Sequence, residues 1–130
     1  MPLWSASGLM DDTFNLDVLL RRSVPVRQID AGEKIFLEHE IGSEMYVVVS
    51  GRVDVLTYGK VLEQIGRGGI FGEMALIDEG PRSAAALAAE STEVVVIDEK
   101  MFVVLVREEP GFAMAVMRVL AKRLRRREHT

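Results

Sequence analysis

Between residues 66 and 83 the sequence gathers groups that could hold an anion and a sugar. It reads Gly66-Arg67-Gly68-Gly69-Ile70-Phe71-Gly72-Glu73-Met74-Ala75-Leu76-Ile77-Asp78-Glu79-Gly80-Pro81-Arg82-Ser83. Gly72 lets the backbone come close to a ligand, because no Cβ stands in the way. Good helix formers follow from Glu73 to Ile77, and the free amides opening such a turn carry partial positive charge that favours an anion. Arg82 offers a planar fork that can grip a phosphate through two parallel hydrogen bonds. Glu73, when ionised, only accepts hydrogen bonds, which suits a sugar hydroxyl. Together these groups describe a site for a phosphorylated sugar. A purely structural alternative uses the same residues: Arg82 and Glu73 would pair with each other to brace the loop, and Gly72 would serve only the turn.

A β scaffold must position this segment. Glycines at 32, 42, 51, 59 and 66 separate runs of β-branched and apolar residues, which predict strands over 24–29, 34–37, 45–49, 53–58 and 61–65. Two more are expected over 83–89 and 92–98. Arg52-Val53-Asp54-Val55 alternates polar outside and apolar inside. The fold class is therefore α+β, mainly β: an antiparallel β-roll or jelly roll of about eight strands. A short N-terminal helix precedes the strands and a C-terminal helical pair follows them. Asp98 is a good N-cap for a helix over 99–107. Pro110 suits the first turn of the next helix, where its missing N–H costs nothing. Beyond it, Phe112, Val116, Val119, Leu120 and Leu124 fall on one helical stripe. Residues 1–13 read as a loose N-terminal segment and 14–130 as one domain, as the 130-residue length allows.

Other chemistries find little support. The chain has no cysteine, which excludes disulfides, thiolate metal sites and a cysteine nucleophile. Its two histidines, His39 and His129, cannot supply the several imidazoles of a metal-binding roll or a Ser/His/Asp set. No metal and no cofactor beyond a ligand is expected. The N-terminus carries no positive charge before Arg21 and does not read as a secretory signal, and no apolar run approaches the roughly 20 residues of a membrane span. A cytoplasmic location is expected. The net charge is −4, yet residues 118–130 hold six basic residues against Glu128 alone. The body is thus acidic and a poor partner for nucleic acid.

At this point the sequence resembles a known family. Phe71-Gly72-Glu73-Met74-Ala75-Leu76, followed after five residues by Arg82-Ser83-Ala84, looks like the phosphate-binding cassette of cyclic-nucleotide-binding domains, the type found in catabolite activator protein and the protein kinase A regulatory subunit. Ala31-Gly32-Glu33-Lys34-Ile35-Phe36 and Met45-Tyr46-Val47-Val48-Val49-Ser50-Gly51 fit as well, and the likeness covers roughly 14–125. It implies that a cyclic phosphate would sit against Arg82, the Ser83 hydroxyl and the Ala75 amide. Glu73, with the Gly72 backbone, would take the ribose 2′-hydroxyl. Val55, Leu62 and Ile65 would surround the base, and Leu76 would couple the cassette to the C-terminal helices. Ala84-Ala85-Ala86 departs from the family, which often carries a larger β-branched residue there; the base pocket is less defined as a result.

The resemblance also gives Arg123 a role. It lies beside the apolar stripe, and the last helix would close over the base so that an arginine near this position reaches Glu73 or the nucleotide. Arg127, one turn on, is a second candidate. For both, the alternative is a solvated cation complementing the helix dipole. The expected function is a non-enzymatic sensor: it binds a cyclic nucleotide, cAMP ahead of cGMP, and transmits binding by rearranging the C-terminal helices. The Ser83 hydroxyl could also serve a guanine amino group, so cGMP stays open. A protein effector, or self-association through the C-terminal helix, is implied. Nucleic acid is not an expected partner, because no helix-turn-helix is expected after the basic end. The alternative function is a β-roll protein-interaction domain without a nucleotide ligand.

Overall fold

A computed structural model of the chain describes residues 14–128, with the backbone alone at 127 and 128. The expected loose segment 1–13 and His129 lie outside the described residues, as does the side chain of Arg127. Helix α1 (Leu16–Leu20) opens the fold, capped by the Asn15 side chain accepting from the Asp17 amide. Eight strands follow: β1 (Val26–Ile29), β2 (Lys34–Phe36), β3 (Met45–Ser50), β4 (Val53–Thr57), β5 (Lys60–Ile65), β6 (Ile70–Phe71), β7 (Ala85–Ala88) and β8 (Thr92–Ile97). Helix α2 (Glu73–Asp78) lies between β6 and β7, and α3 (Glu99–Glu108) and α4 (Pro110–Glu128) close the chain. The strands form two antiparallel four-stranded sheets, ordered β1-β8-β3-β6 and β2-β7-β4-β5.

The β-roll expected from the glycine spacing is therefore present, with one addition. Strand β6 has only two residues, paired with Tyr46 and Val47 of β3. Its flanking glycines mask it in the sequence, where it reads as an approach to the cassette. Strand β7 starts at Ala85, later than expected, and Asp98 serves as the cap of α3, accepting from the Met101 amide at 2.9 Å.

The core has two compartments. Met45, Val47, Val95 and Ile97 of β3 and β8 face the helices and pack with Leu19, Leu105, Phe112 and Val116. Tyr46, Val48, Val94 and Val96, one residue out of phase, face the second sheet and pack with Val53, Phe71, Ala86 and Ala88. Both faces of β3 and β8 are thus covered, which explains runs without alternation, as strands buried on both sides require. Phe112, Val116 and Val119 of the α4 stripe are buried, but Leu124 is 56% exposed. The apolar docking of α4 thins out beyond Val119. Among the described residues no helix is long and apolar enough to cross a membrane.

Candidate functional site

Strand β6, the α2 turn and the residues just before β7 meet β4 and α4 around a small cavity of about 60 Å³. That is well below the roughly 300–1,000 Å³ usual for small-molecule sites, so a ligand of ordinary size would need the walls, Arg123 among them, to part. Of the residues expected to bind a ligand, Gly72, Glu73, Ala75, Arg82, Ser83, Val55 and Arg123 line it. Leu62 and Ile65 do not: Leu62 is 40% exposed, and Ile65 is buried between the sheets. A bulge explains the displacement of Leu62. Val55 pairs with Glu63 and Leu56 with Val61, so Leu62 has no partner in the ladder. Phe36, Phe71, Met74 and Ala84 complete the wall.

Gly72 caps α2 with φ +80°, a left-handed conformation that glycine adopts without a Cβ penalty. The turn it permits directs its own carbonyl toward Arg82. That carbonyl accepts from Arg82 Nη1 at 2.9 Å, while the Glu44 carbonyl accepts from Nη2 at 2.8 Å. The guanidinium also lies over the Phe36 ring, 4.1 Å from its centroid. The backbone of residue 82 is held too, its amide donating to the Glu40 carbonyl and its carbonyl accepting from the His39 amide.

Arg82 is 5% exposed, yet among the described residues no carboxylate forms an ion pair with it. Burial lowers the pKa of its guanidinium from the ordinary value, against the opposing charges of Tyr46, Glu44, Glu73 and Glu40. The alternative in which Arg82 and Glu73 brace each other is not formed. Glu73, 2% exposed, instead accepts through Oε1 from Arg123 Nη1 on α4. Arg123 also donates to the Ile70 carbonyl and makes a forked contact with Glu63, Nε to Oε1 and Nη2 to Oε2, both at 3.1 Å. Burial alone would lower the pKa of Arg123, but the charges and hydrogen bonds of Glu73 and Glu63 raise it above the ordinary value. The site thus holds two sheltered arginines of opposite character: Arg123 is compensated by two carboxylates, and Arg82 only by carbonyl dipoles and an aromatic face.

Glu63 is a member of this cluster that the motif does not show. Its signal in the sequence is position: two residues from Ile65 along β5, it stands where the alternation would put an inward side chain. Arg82 has a second wall that is also silent in sequence. A Cβ at Gly42 would stand 2.6 Å from Arg82 Nη2 and 2.9 Å from Cζ. Gly42 is not among the positive-φ glycines, so alanine there is strained by the guanidinium and not by its own backbone. Gly42→Ala is expected to push Arg82 off its carbonyl anchors and weaken anion binding about tenfold, with a fall of only a few degrees in melting temperature. Parallel calorimetry and melting curves check this; wild-type affinity would show that Arg82 need not hold its place.

A β-roll with a short helical turn over a buried arginine, lidded by a C-terminal helix, defines a class of small-ligand-binding regulatory module. The profile of the family described as "Cyclic nucleotide-binding domain" matches residues 26–109. The chain belongs to that family. It is 37% identical over 99 residues to the cyclic AMP receptor protein of Thermus thermophilus, a match covering 72% of this chain and 46% of that protein. It is 35% identical over 102 residues to a cGMP-dependent protein kinase of Drosophila melanogaster, covering 73% of this chain and 13% of the kinase. The chain thus matches less than half the length of either relative. The crystal structure of the Thermus thermophilus catabolite activator protein superposes with a TM-score of 0.75 at 35% identity, covering 87% of this chain and 55% of that one.

Proposed function

We propose that this chain binds a cyclic nucleotide in the cavity at Arg82, with cAMP preferred to cGMP, and reports binding through its C-terminal helices. One observation carries the reading: among the described residues Arg82 is a buried cation with no carboxylate partner, and it lines the cavity beside the cassette. A sheltered charge without a counter-charge is costly, and an incoming phosphate would relieve that cost. Arg82 uses two of its five N–H donors on carbonyls, which leaves donors for a phosphate. Ser83 and the α2 turn at Ala75 stand beside it. Glu73 gives Oε1 to Arg123, which leaves Oε2 as an acceptor for a ribose hydroxyl. Val55, Phe36 and Ala84 offer apolar walls for the remainder of the ligand. The preference for cAMP is supported by the receptor named above.

The output follows from Leu76. It sits on α2, yet it packs in the same apolar cluster as Leu105 of α3 and Phe112 and Val116 of α4. A ligand that draws in the cassette would therefore shift a member of the cluster in which both helices pack. It can move that equilibrium only by its differential affinity for the two arrangements. The reading is binding without catalysis and needs no metal. An effector or a second copy of the chain would be met through α3 and α4, where Val103, Val106, Met114, Met117 and Leu124 are exposed.

Melting the purified protein with cAMP, cGMP and 5′-AMP tests the proposal. A ligand present at about 100 times its Kd adds about 2.7 kcal/mol of stability. The cyclic nucleotides should raise the melting temperature in the order cAMP, then cGMP, and 5′-AMP should do little. A larger rise with cGMP would reverse the preference, and no rise with either would overturn the function.

A further inference from the structure

The last turns of α4 are held in a different way from the first. Up to Val119 the helix is docked by burial; Leu124 beyond it is exposed. What fastens this end to the roll is charge. Glu63 accepts from Arg123 through both oxygens, and its Oε1 also accepts from Arg126 Nη1 at 3.1 Å. Glu63 is on the edge strand of its sheet, paired with Val55, and its side chain is 20% exposed. Partners opposite each other in an antiparallel pair share a face, so Glu63, paired with Val55 and in phase with Ile65, lies on the side on which Val55 lines the cavity. Glu63 itself is not part of the cavity wall.

Arg123 therefore has two anionic partners with different duties. Glu73 belongs to the cassette and would also be asked to hold a ribose hydroxyl. Glu63 belongs to a hairpin outside the cavity and would keep its hold whatever Glu73 does. We propose that Glu63 is a positioning residue: it latches the end of α4 to the β4–β5 hairpin, holds Arg123 across the cavity, and so sets how long a bound nucleotide stays. This rests on the nucleotide reading for its functional consequence, but not for the latch itself. The forked contact fixes the guanidinium plane as well as its charge, so a neutral amide is a poor substitute.

Glu63→Gln is the test, with release of a fluorescent cAMP analogue followed by stopped flow and amide exchange measured with and without cAMP. The latch predicts release about tenfold faster, with association changed by less than about twofold. It also predicts weaker protection over 119–126 even without nucleotide, while β3 and β8 keep theirs. Adding Arg126→Ala to Glu63→Gln should accelerate release no further, because both remove the same contact. Should β3 and β8 also lose protection, Glu63→Asp replaces it; that variant keeps the charge at shorter reach and should give an intermediate release rate. Unchanged release and unchanged protection at 119–126 would overturn the latch. If the wild-type protein binds no cyclic nucleotide, the proposed function fails, and exchange over 119–126 without ligand still decides the latch.

Discussion

Arg82→Ala is expected to weaken cAMP binding by at least about 100-fold while leaving a folded protein. Hydrogen bonds to a charged group contribute roughly 1.5–3 kcal/mol each, and a forked contact to a phosphate makes two of them. The cost to folding is smaller because two effects oppose. The variant loses the hydrogen bonds to the Gly72 and Glu44 carbonyls and the contact with the Phe36 ring. It also loses a buried cation that no carboxylate offsets. A net loss of about 1–3 kcal/mol follows. Arg82→Lys keeps the charge but not the fork and should fall between wild type and alanine. Calorimetric titration gives the affinities and urea unfolding the stabilities. Wild-type affinity in the alanine variant would remove Arg82 from the site.

Arg123→Ala is expected to damage the fold more than Arg82→Ala, although Arg123 lies on a helix near the end of the chain. Its removal leaves Glu73, 2% exposed, facing Glu63 with the intervening cation gone. Removing one partner of a buried ion pair costs about 3–5 kcal/mol, because the other charge stays buried. The loss should depend on pH in a definite direction. Burial by itself would raise the pKa of Glu63, but Arg123 and Arg126 outweigh it and hold the carboxyl below the ordinary range. A carboxylate with a depressed folded-state pKa stabilises the fold above its unfolded pKa of about 4.3, and loses that contribution as pH falls through the folded value. The stability gap between wild type and Arg123→Ala should therefore be widest near neutral pH and narrow below about pH 4. Urea unfolding of both proteins at several pH values measures it. A gap under about 1 kcal/mol at neutral pH would show that Arg123 is no more than a surface cation.

The parts of the site that could be read in the sequence are those whose chemistry is local. Gly72 must be glycine for a turn that the next residues announce as a short helix, and Arg82 is placed by the strand that follows it. Asp98 and Pro110 mark their helix starts because capping is a matter of neighbouring residues. What escaped reading depends on pairing between distant strands. The bulge at Leu62 is invisible without the β4 register, and it leaves Leu62 without a ladder partner while Glu63, in phase with Ile65, pairs with Val55. The partners of Arg82 are also silent, since two are backbone carbonyls and Gly42 matters only through a Cβ it lacks. Glu73 and Arg82 looked like partners because they are close in sequence, but Arg123, 50 residues away, takes Glu73. A two-residue strand between glycines, β6, carries too little side-chain pattern to be recognised.

A cyclic nucleotide bound as proposed sits against Arg82 on the cassette side. Arg82 also lines a second, more polar cleft on its other side, with Arg27, Glu40, Glu44 and Asp98. Amide hydrogen exchange with and without cAMP separates the two. Binding on the cassette side predicts new protection over 72–83, extending through Leu76 into the α3–α4 pair, and little change over 25–30 and 40–44. Protection confined to the segments around Arg27 and Glu44, or no change anywhere at saturating cAMP, would contradict it.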